Sequence, residues 1–274
     1  LNRVNEIDEL REAVIAVHKD NWRLLWAAAR NYMDVEHHGF MIAGRFERGP
    51  HRGGGKVVNA MERDRVRALQ LLVQALPKAM QDDNRAEAGA FLLYLAEVLL
   101  NNRGHSEAWR LQYLTDLSVL PDYEEGWGYY REVTGAPVDA DGNPVFHHTP
   151  KSFEDAKNDG ERWRWCLEQV VEMNPGMLNQ VRFHFAQFLL SQFGVETMAH
   201  FGWRFDQVGE ESQDETGTYA LHTLGEDETI ARLATGVKRF KLPDEFNYIR
   251  VLQKIVEEPK TGYATEALEQ LAAI

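Results

Sequence analysis

Apolar residues recur at helical spacing along most of this chain. Residues 6–18 carry Leu10, Val14 and Val17 on one stripe, and residues 21–34 carry Trp22, Leu25, Trp26, Ala29, Tyr32 and Met33 on another. Phe40, Met41 and Ala43 predict a short helix or turn. Segment 48–55 reads RGPHRGGG, and four glycines with one proline predict a loop. Helical spacing resumes over 59–76; Pro77 is expected to end or kink that helix, because proline disfavours helical geometry in the residue before it. Further helices are predicted over 85–101, 106–117, 159–172 and 178–193, with Pro175 as a stop. A polar stretch covers 206–217. The final helical patterns, 227–240, 244–257 and 263–274, are separated by Pro243 and Pro259.

Residues 121–157 break this pattern with Pro121, Pro137, Pro144 and Pro150 and with Gly126, Gly128, Gly135 and Gly142. Within them, PVDADGNPVFHH sets the Asp141-Gly142 pair between two short β-like pieces, which is a hairpin signal and the only place where the pattern predicts strands. About ten helices joined mostly by short links predict a helical content of roughly 60% or more and the pairing of an α-solenoid. The expected fold is therefore all-α: a tetratricopeptide-like helical-repeat array with one β-hairpin-containing excursion. Ala68, Leu72 and Ala75 match the small–large–small face of the second helix of a tetratricopeptide unit. The unit's Trp, Gly and Tyr positions do not recur at a clean spacing of about 34 residues, so an irregular helical bundle is the alternative. The organisation expected is an N-terminal helical array (1–120), the excursion (121–157) and a C-terminal helical array (158–274) in one continuous domain.

Composition narrows the function. A hydrophobic fraction of 44%, with 7 Trp, 9 Tyr and 13 Phe, is that of a packed chain. A formal net charge of -13 argues against a broad grip on nucleic acid, which must replace the counterions around phosphates. The single cysteine, Cys166, excludes an intramolecular disulfide framework. The longest apolar run, around 91–100, is broken by Glu97 and is too short to span a bilayer, so no transmembrane segment is expected. Leu1 is not an initiator methionine and the last helix pattern stops without a cap, so both ends are expected to be cut from a longer chain.

The best candidate site is the glycine loop. It fails as a phosphate loop: counting from Gly49 puts Gly55 where lysine belongs, Lys56 is followed by Val57, and no strand is predicted before it. It reads instead as a partner-binding loop. Gly53, Gly54 and Gly55 expose backbone N–H groups, and Arg45, Arg48, Arg52 and Lys56 surround them with positive charge. Arg63, Arg65 and Arg67 follow on the helix, and Glu47, Glu62 and Asp64 make an intramolecular ion-pair network the competing reading. Residues 206–228 hold eight acids and no lysine or arginine, a complementary segment for the loop within one molecule or between copies.

The histidine pairs His37-His38 and His147-His148 lack the spacing of four that a helical zinc pair needs, and on a hairpin neighbouring residues point to opposite sides. The DADGN stretch starts like a calcium loop, but Pro144 and Pro150 occupy the positions of its glycine and glutamate. No Gly-x-Ser-x-Gly elbow occurs, and Cys166, among aromatic residues on a predicted helix, reads as a buried structural thiol. No catalytic residue, metal ligand or cofactor is assigned.

Five stretches carry a resemblance: AGRFERGPHRGGG (43–55), ERDRVRALQLLVQAL (62–76), AWRLQYLTDLSVLPDYE (108–124), NDGERWRW (158–165) and ALHTLGEDETIARLATGVKRFKLPDEFN (220–247). Together they resemble the N-terminal tetratricopeptide-like helical region of large bacterial proteins of the α2-macroglobulin family. The resemblance implies an accessory region of a protease-trapping inhibitor, placed outside the cytoplasm, whose bait segment and thioester lie in later domains. Cys166-Leu167-Glu168-Gln169 matches the family's Cys-x-Glu-Gln thioester string, but Trp163-Arg164-Trp165 stands where a Tyr-Pro-Tyr-Gly-like lead-in belongs, and the match reads as coincidence. The reading that follows is a non-catalytic helical-repeat scaffold for a protein or peptide, including other domains of its parent chain. The alternatives are a metal-dependent enzyme using the histidine pairs near the hairpin, and a purely structural spacer.

Overall fold

In the computed structural model, which describes residues 6–101, 103, 107–128, 135–193, 225 and 228–273, three helices begin where an asparagine side chain accepts from free N–H groups of the first turn. Asn21 accepts from Arg23 and Leu24, Asn158 from Glu161, and Asn247 from Ile249 and Arg250. In chain order the elements are α1 (Ile7–Val17), α2 (Trp22–Asp34), β1 (His38–Ile42), β2 (Arg45–Arg48), β3 (Lys56–Asn59), α3 (Met61–Met80) and α4 (Arg85–Leu100). There follow β4 (Glu124–Glu125), α5 (Asp159–Met173), α6 (Leu178–Phe193), β5 (Glu228–Leu233), β6 (Gly236–Lys241), α7 (Tyr248–Glu257) and α8 (Ala264–Ala273), with single 3-10 turns between some of them.

The all-α, tetratricopeptide-like expectation does not hold. The described chain is mixed α/β, 56% helical and 13% strand, with a four-stranded antiparallel sheet and a separate two-stranded one. β1 lies where Phe40, Met41 and Ala43 suggest a short helix or turn, β2 and β3 flank the predicted loop, β4 lies in the excursion, and β5 and β6 replace a predicted helix. The stretch 227–240 carries helix-like spacing between Ile230 and Leu233, yet it folds as the β5–β6 hairpin. Its β-branched Thr229, Ile230 and Val237 suit a strand, and Gly236, at φ 119, takes a conformation open mainly to glycine just past the two-residue turn. The predicted helix 106–117 shrinks, within the described residues, to a 3-10 turn at Ala108–Gln112. Pro77 does not end α3; it falls near the helix's last turn, and Ala79 beyond it is fully buried. The hairpin expected near Asp141 is reduced to one bridge, Val138 to Pro144, around a turn in which the Asp139 carboxylate accepts from the Asp141 and Asn143 N–H groups.

By internal contact the chain divides into two units, 1–99 with 114–131 and 100–113 with 132–274. In the first, α3 packs along α2, and the core is Leu25, Ala29, Leu69, Leu72, Phe91, Leu92 and Leu95. Arg65, almost fully buried, closes the end of α4: its Nε and Nη2 donate to the Val98 and Leu99 carbonyls at 3.1 and 3.2 Å, and its Nη1 donates to Glu62 at 2.9 Å. A cation there satisfies orphan carbonyls and meets the negative end of the helix. The sheet has the order β2-β1-β3-β4. Because β2 and β3 both run antiparallel to β1, residues 49–55 must cross β1 to join them. Close approach is possible because Gly39 has no side chain: a Cβ there would sit 2.3 Å from the Glu47 carbonyl oxygen.

In the second unit, Trp163, Cys166 and Val170 of α5 meet Phe185, Phe188 and Leu189 of α6 in an aromatic-rich core that includes Phe246. Asn179, fully buried, donates to the Glu258 and Gly262 carbonyls at 2.7 and 3.0 Å and fixes the link between α7 and α8.

The β1–β2 turn is Ala43-Gly44 with φ of 48° and 80°, the backbone of a two-residue hairpin loop that favours Asn-Gly. Ala43 bears the steric cost of a left-handed conformation. Replacing Ala43 by Asn should stabilise the chain by about 1 kcal/mol, read as a higher urea midpoint at unchanged slope.

Candidate functional site

The loop residues singled out in the sequence separate into two groups. Arg48 ends β2 opposite Gly39, and its guanidinium is buried. Nη1 and Nη2 donate to the two Asp64 oxygens at 2.7 and 2.9 Å, Nε donates to the Asp8 carboxylate at 3.1 Å, and Nη1 also donates to the Glu36 carbonyl at 2.7 Å. Burial works against this charge, but the hydrogen bonds and field of Asp64, then Asp8, more than offset it and raise the Arg48 pKa. Arg48 is therefore no partner contact; the ion-pair network weighed against that reading is what the structure contains. Asp64 stands among the acids that the sequence offers for that network; Asp8 and His37 complete it and are not singled out there as its members.

Both ring nitrogens of His37 face acceptor oxygens, Nδ1 the Asp64 carboxylate at 2.8 Å and Nε2 the Met33 carbonyl at 3.3 Å. A His–Asp pair so enclosed orients the ring but leaves no nitrogen for a substrate. On α1, Glu12 accepts from Arg67 and Tyr32, at 2.6 and 2.5 Å. Burial pushes the Glu12 carboxyl up, and those two hydrogen bonds more than reverse it. Arg11 stacks 3.8 Å over the Tyr32 ring.

The second group stays on the surface. Arg45 and Lys56 lie on either side of the end of β1, paired in register with Ile42 and Met41. Lys56 forms an ion pair with Glu125 of β4. Arg45 and Arg52 are exposed and make no ion pair among the described residues. Gly53 and Gly55, both at φ 146°, shape the crossover between them, and a Cβ on Gly55 would press on Ile42 at 3.2 Å. His51 in the same crossover packs on Phe40 with ring centroids 5.7 Å apart. The acidic complement, 206–228, lies almost wholly outside the described residues.

His147 is buried and His148 exposed. His38 meets Glu36 at 3.0 Å and the Trp127 carbonyl at 2.8 Å. Among the described residues no group of three His, Cys, Asp or Glu is arranged to hold a metal ion. Cys166 is fully buried inside the regular helix α5, and burial pushes its thiol well above the usual range, which disfavours the nucleophilic thiolate. No protein-family model matches the chain, nor does any curated protein or solved structure.

His147 is a buried imidazole with a strongly shifted titration. It packs against Gly160 in the first turn of α5, where a Cβ would lie 2.2 Å from its Nδ1. Among the described residues neither ring nitrogen has a hydrogen-bond partner of good geometry, although the Asn158 side chain lies close enough to act on the ring. Burial, then the positive charge of Arg164 and then His148 lower its pKa to about 4; the nearby Asn158 side chain pulls the other way without prevailing. The positive end of α5 also favours the neutral ring. Above pH 6.5 neither the folded nor the unfolded chain protonates this histidine. As pH falls below 6.5 the unfolded chain takes up the proton first, so stability falls until about pH 4 and then levels. The loss expected over that window is about 3 kcal/mol, and His147→Leu should flatten the profile. Urea unfolding followed by tryptophan fluorescence from pH 7 to 4 measures it; equal slopes in both proteins would contradict the assignment.

Proposed function

We propose that this chain is a non-catalytic protein-interaction module that engages an acidic protein segment through the cationic rim of its four-stranded sheet. The observation that carries the reading is the exposure of Arg45 and Arg52, without ion-pair partners among the described residues, beside the glycine crossover of a chain with net charge -13. Free arginines offer planar donors that match carboxylates, and glycine N–H groups allow close approach. A rim on a sheet takes the place of the concave surface that a solenoid would have offered. The resemblance to the N-terminal region of bacterial α2-macroglobulin-like proteins extends the proposal: an accessory region of a protease inhibitor, with other domains of the same parent chain as its partners.

The probe is a fluorescent peptide of residues 206–228, titrated against the whole chain. Binding should weaken as salt rises, because exposed pairs are screened. The double variant Arg45→Ala, Arg52→Ala should lose about tenfold in affinity at low salt while its circular dichroism stays unchanged, since each exposed pair contributes about 1 kcal/mol or less. Equal affinity of variant and parent at low salt would refute the role of this rim.

A further inference from the structure

The stripe of α1 that the sequence offers for a core points to solvent. Leu10, Val14 and Val17 are 67, 41 and 76% exposed, and Ala13 between them is exposed as well, while the opposite side buries Arg11 and Ile15. What holds α1 in place is largely polar: Asp8 to Arg48, Glu12 to Arg67 and Tyr32, and Arg11 over the Tyr32 ring. Those attachments fix the helix with its charged side inward and leave the apolar side exposed, with no partner among the described residues. Positions 10, 13, 14 and 17 have the spacing of a helix–helix seam. Three exposed branched aliphatics in line on one short helix are more than the scattered apolar residues that any surface carries.

We propose that this face docks on the same face of a second copy of the chain, antiparallel, about a two-fold axis passing between Ala13 and Val14. The seam is complementary to itself in that arrangement. Leu10 of each copy comes opposite Val17 of the other, and the small Ala13 comes opposite Val14, so that bulk meets the space left for it. The charge on the helix ends points the same way. Glu9 lies exposed near the N-terminal end and Lys19 lies exposed just past the C-terminal end, and neither makes an ion pair among the described residues. Antiparallel docking brings unlike ends together and opposes the two helix dipoles; parallel docking would stack like ends. Such a face is isologous, as a closed two-fold dimer requires. The helix is 11 residues long, so the contact is smaller than the roughly 800 Å² per partner of a standard stable interface, and the dimer is a weak one. This surface is separate from the Arg45 and Arg52 rim, and the inference does not rest on the function proposed for that rim.

Sedimentation equilibrium of the whole chain, from low to several hundred micromolar, should show the apparent mass climbing from 31.5 kDa toward twice that value. Val17→Glu should shift the half-association concentration upward by at least about tenfold with unchanged circular dichroism, because the residue is exposed and a buried unpaired carboxylate opposes docking. Disulfide trapping reports orientation, and the fully buried Cys166 does not compete. In the antiparallel pair the two copies of position 13 lie about 1.5 Å apart along the helix axis, and the two copies of position 10 about 10 Å apart. Ala13→Cys should therefore cross-link with itself under mild oxidation, Leu10→Cys should do so poorly, and a mixture of Leu10→Cys and Val17→Cys should form the heterodimer in preference to either homodimer. A mass that stays at 31.5 kDa at every concentration would overturn the proposal and mean that something other than a second copy covers this face. Cross-linking of Leu10→Cys with itself as efficiently as with Val17→Cys would overturn the antiparallel arrangement.

Discussion

The first unit depends on one buried contact, the two-pronged hydrogen bond from the Arg48 guanidinium to the Asp64 carboxylate. It joins the last residue of β2 to the first turn of α3, and the same guanidinium reaches α1 through Asp8 and the end of α2 through the Glu36 carbonyl. Four elements thus converge on one cation. Two opposite charges taken out of water together, with their remaining hydrogen-bonding capacity met, are tolerable; either one alone is not, and removing a single partner of such a pair typically costs about 3–5 kcal/mol. That asymmetry makes the contact a constraint on the whole arrangement. With Arg48 committed inward, the positive charge left on the sheet rim is that of Arg45 and Arg52, with Lys56 paired to Glu125. With Asp8 and Glu12 committed inward, α1 must turn its apolar stripe outward.

Much of the helical layout was legible in the chain. The stretches 21–34, 85–101, 159–172 and 178–193 keep helical spacing over three turns or more and coincide with α2, α4, α5 and α6 to within a few residues. Asn21 and Asn158 cap two of them, α2 and α5, a local signal that the periodicity alone does not use. The strands were not legible, for a reason visible in each. His38–Ile42 is five residues long, too short for alternation to be distinguished from a helical fragment, and its partner Lys56–Asn59 lies beyond a loop whose composition reads the same whether it separates elements or joins two strands. In β5 both Ile230 and Leu233 are buried although they sit three apart, so the burial pattern imitates one face of a helix. The tetratricopeptide-like reading followed from counting β5 and β6 as one helix and overlooking the first sheet.

The candidate site was legible in composition and not in geometry. Four cations surrounding a glycine loop were evident, but which of them goes inward depends on the register of β2 on β1 and on the room that Gly39 leaves beside it, and neither is written within the loop. His147 and His148 do take opposite burial, but on an irregular segment and not on the strand that alternation would need. The outward turn of α1 did not, because periodicity identifies an apolar face without saying what it faces.

The central claim, that Arg48 and Asp64 form an interior anchor and not a surface contact, is tested most directly by a double-mutant cycle. Urea unfolding of Arg48→Met, Asp64→Leu and the combined variant gives the three free-energy changes needed. Each single replacement should destabilise the chain by about 3–5 kcal/mol, and the double variant should lose clearly less than the sum, because no unpaired charge is left behind. Single variants within about 0.5 kcal/mol of the parent, with additive effects in the double, would mean that the pair is solvated and that the account of this unit is wrong.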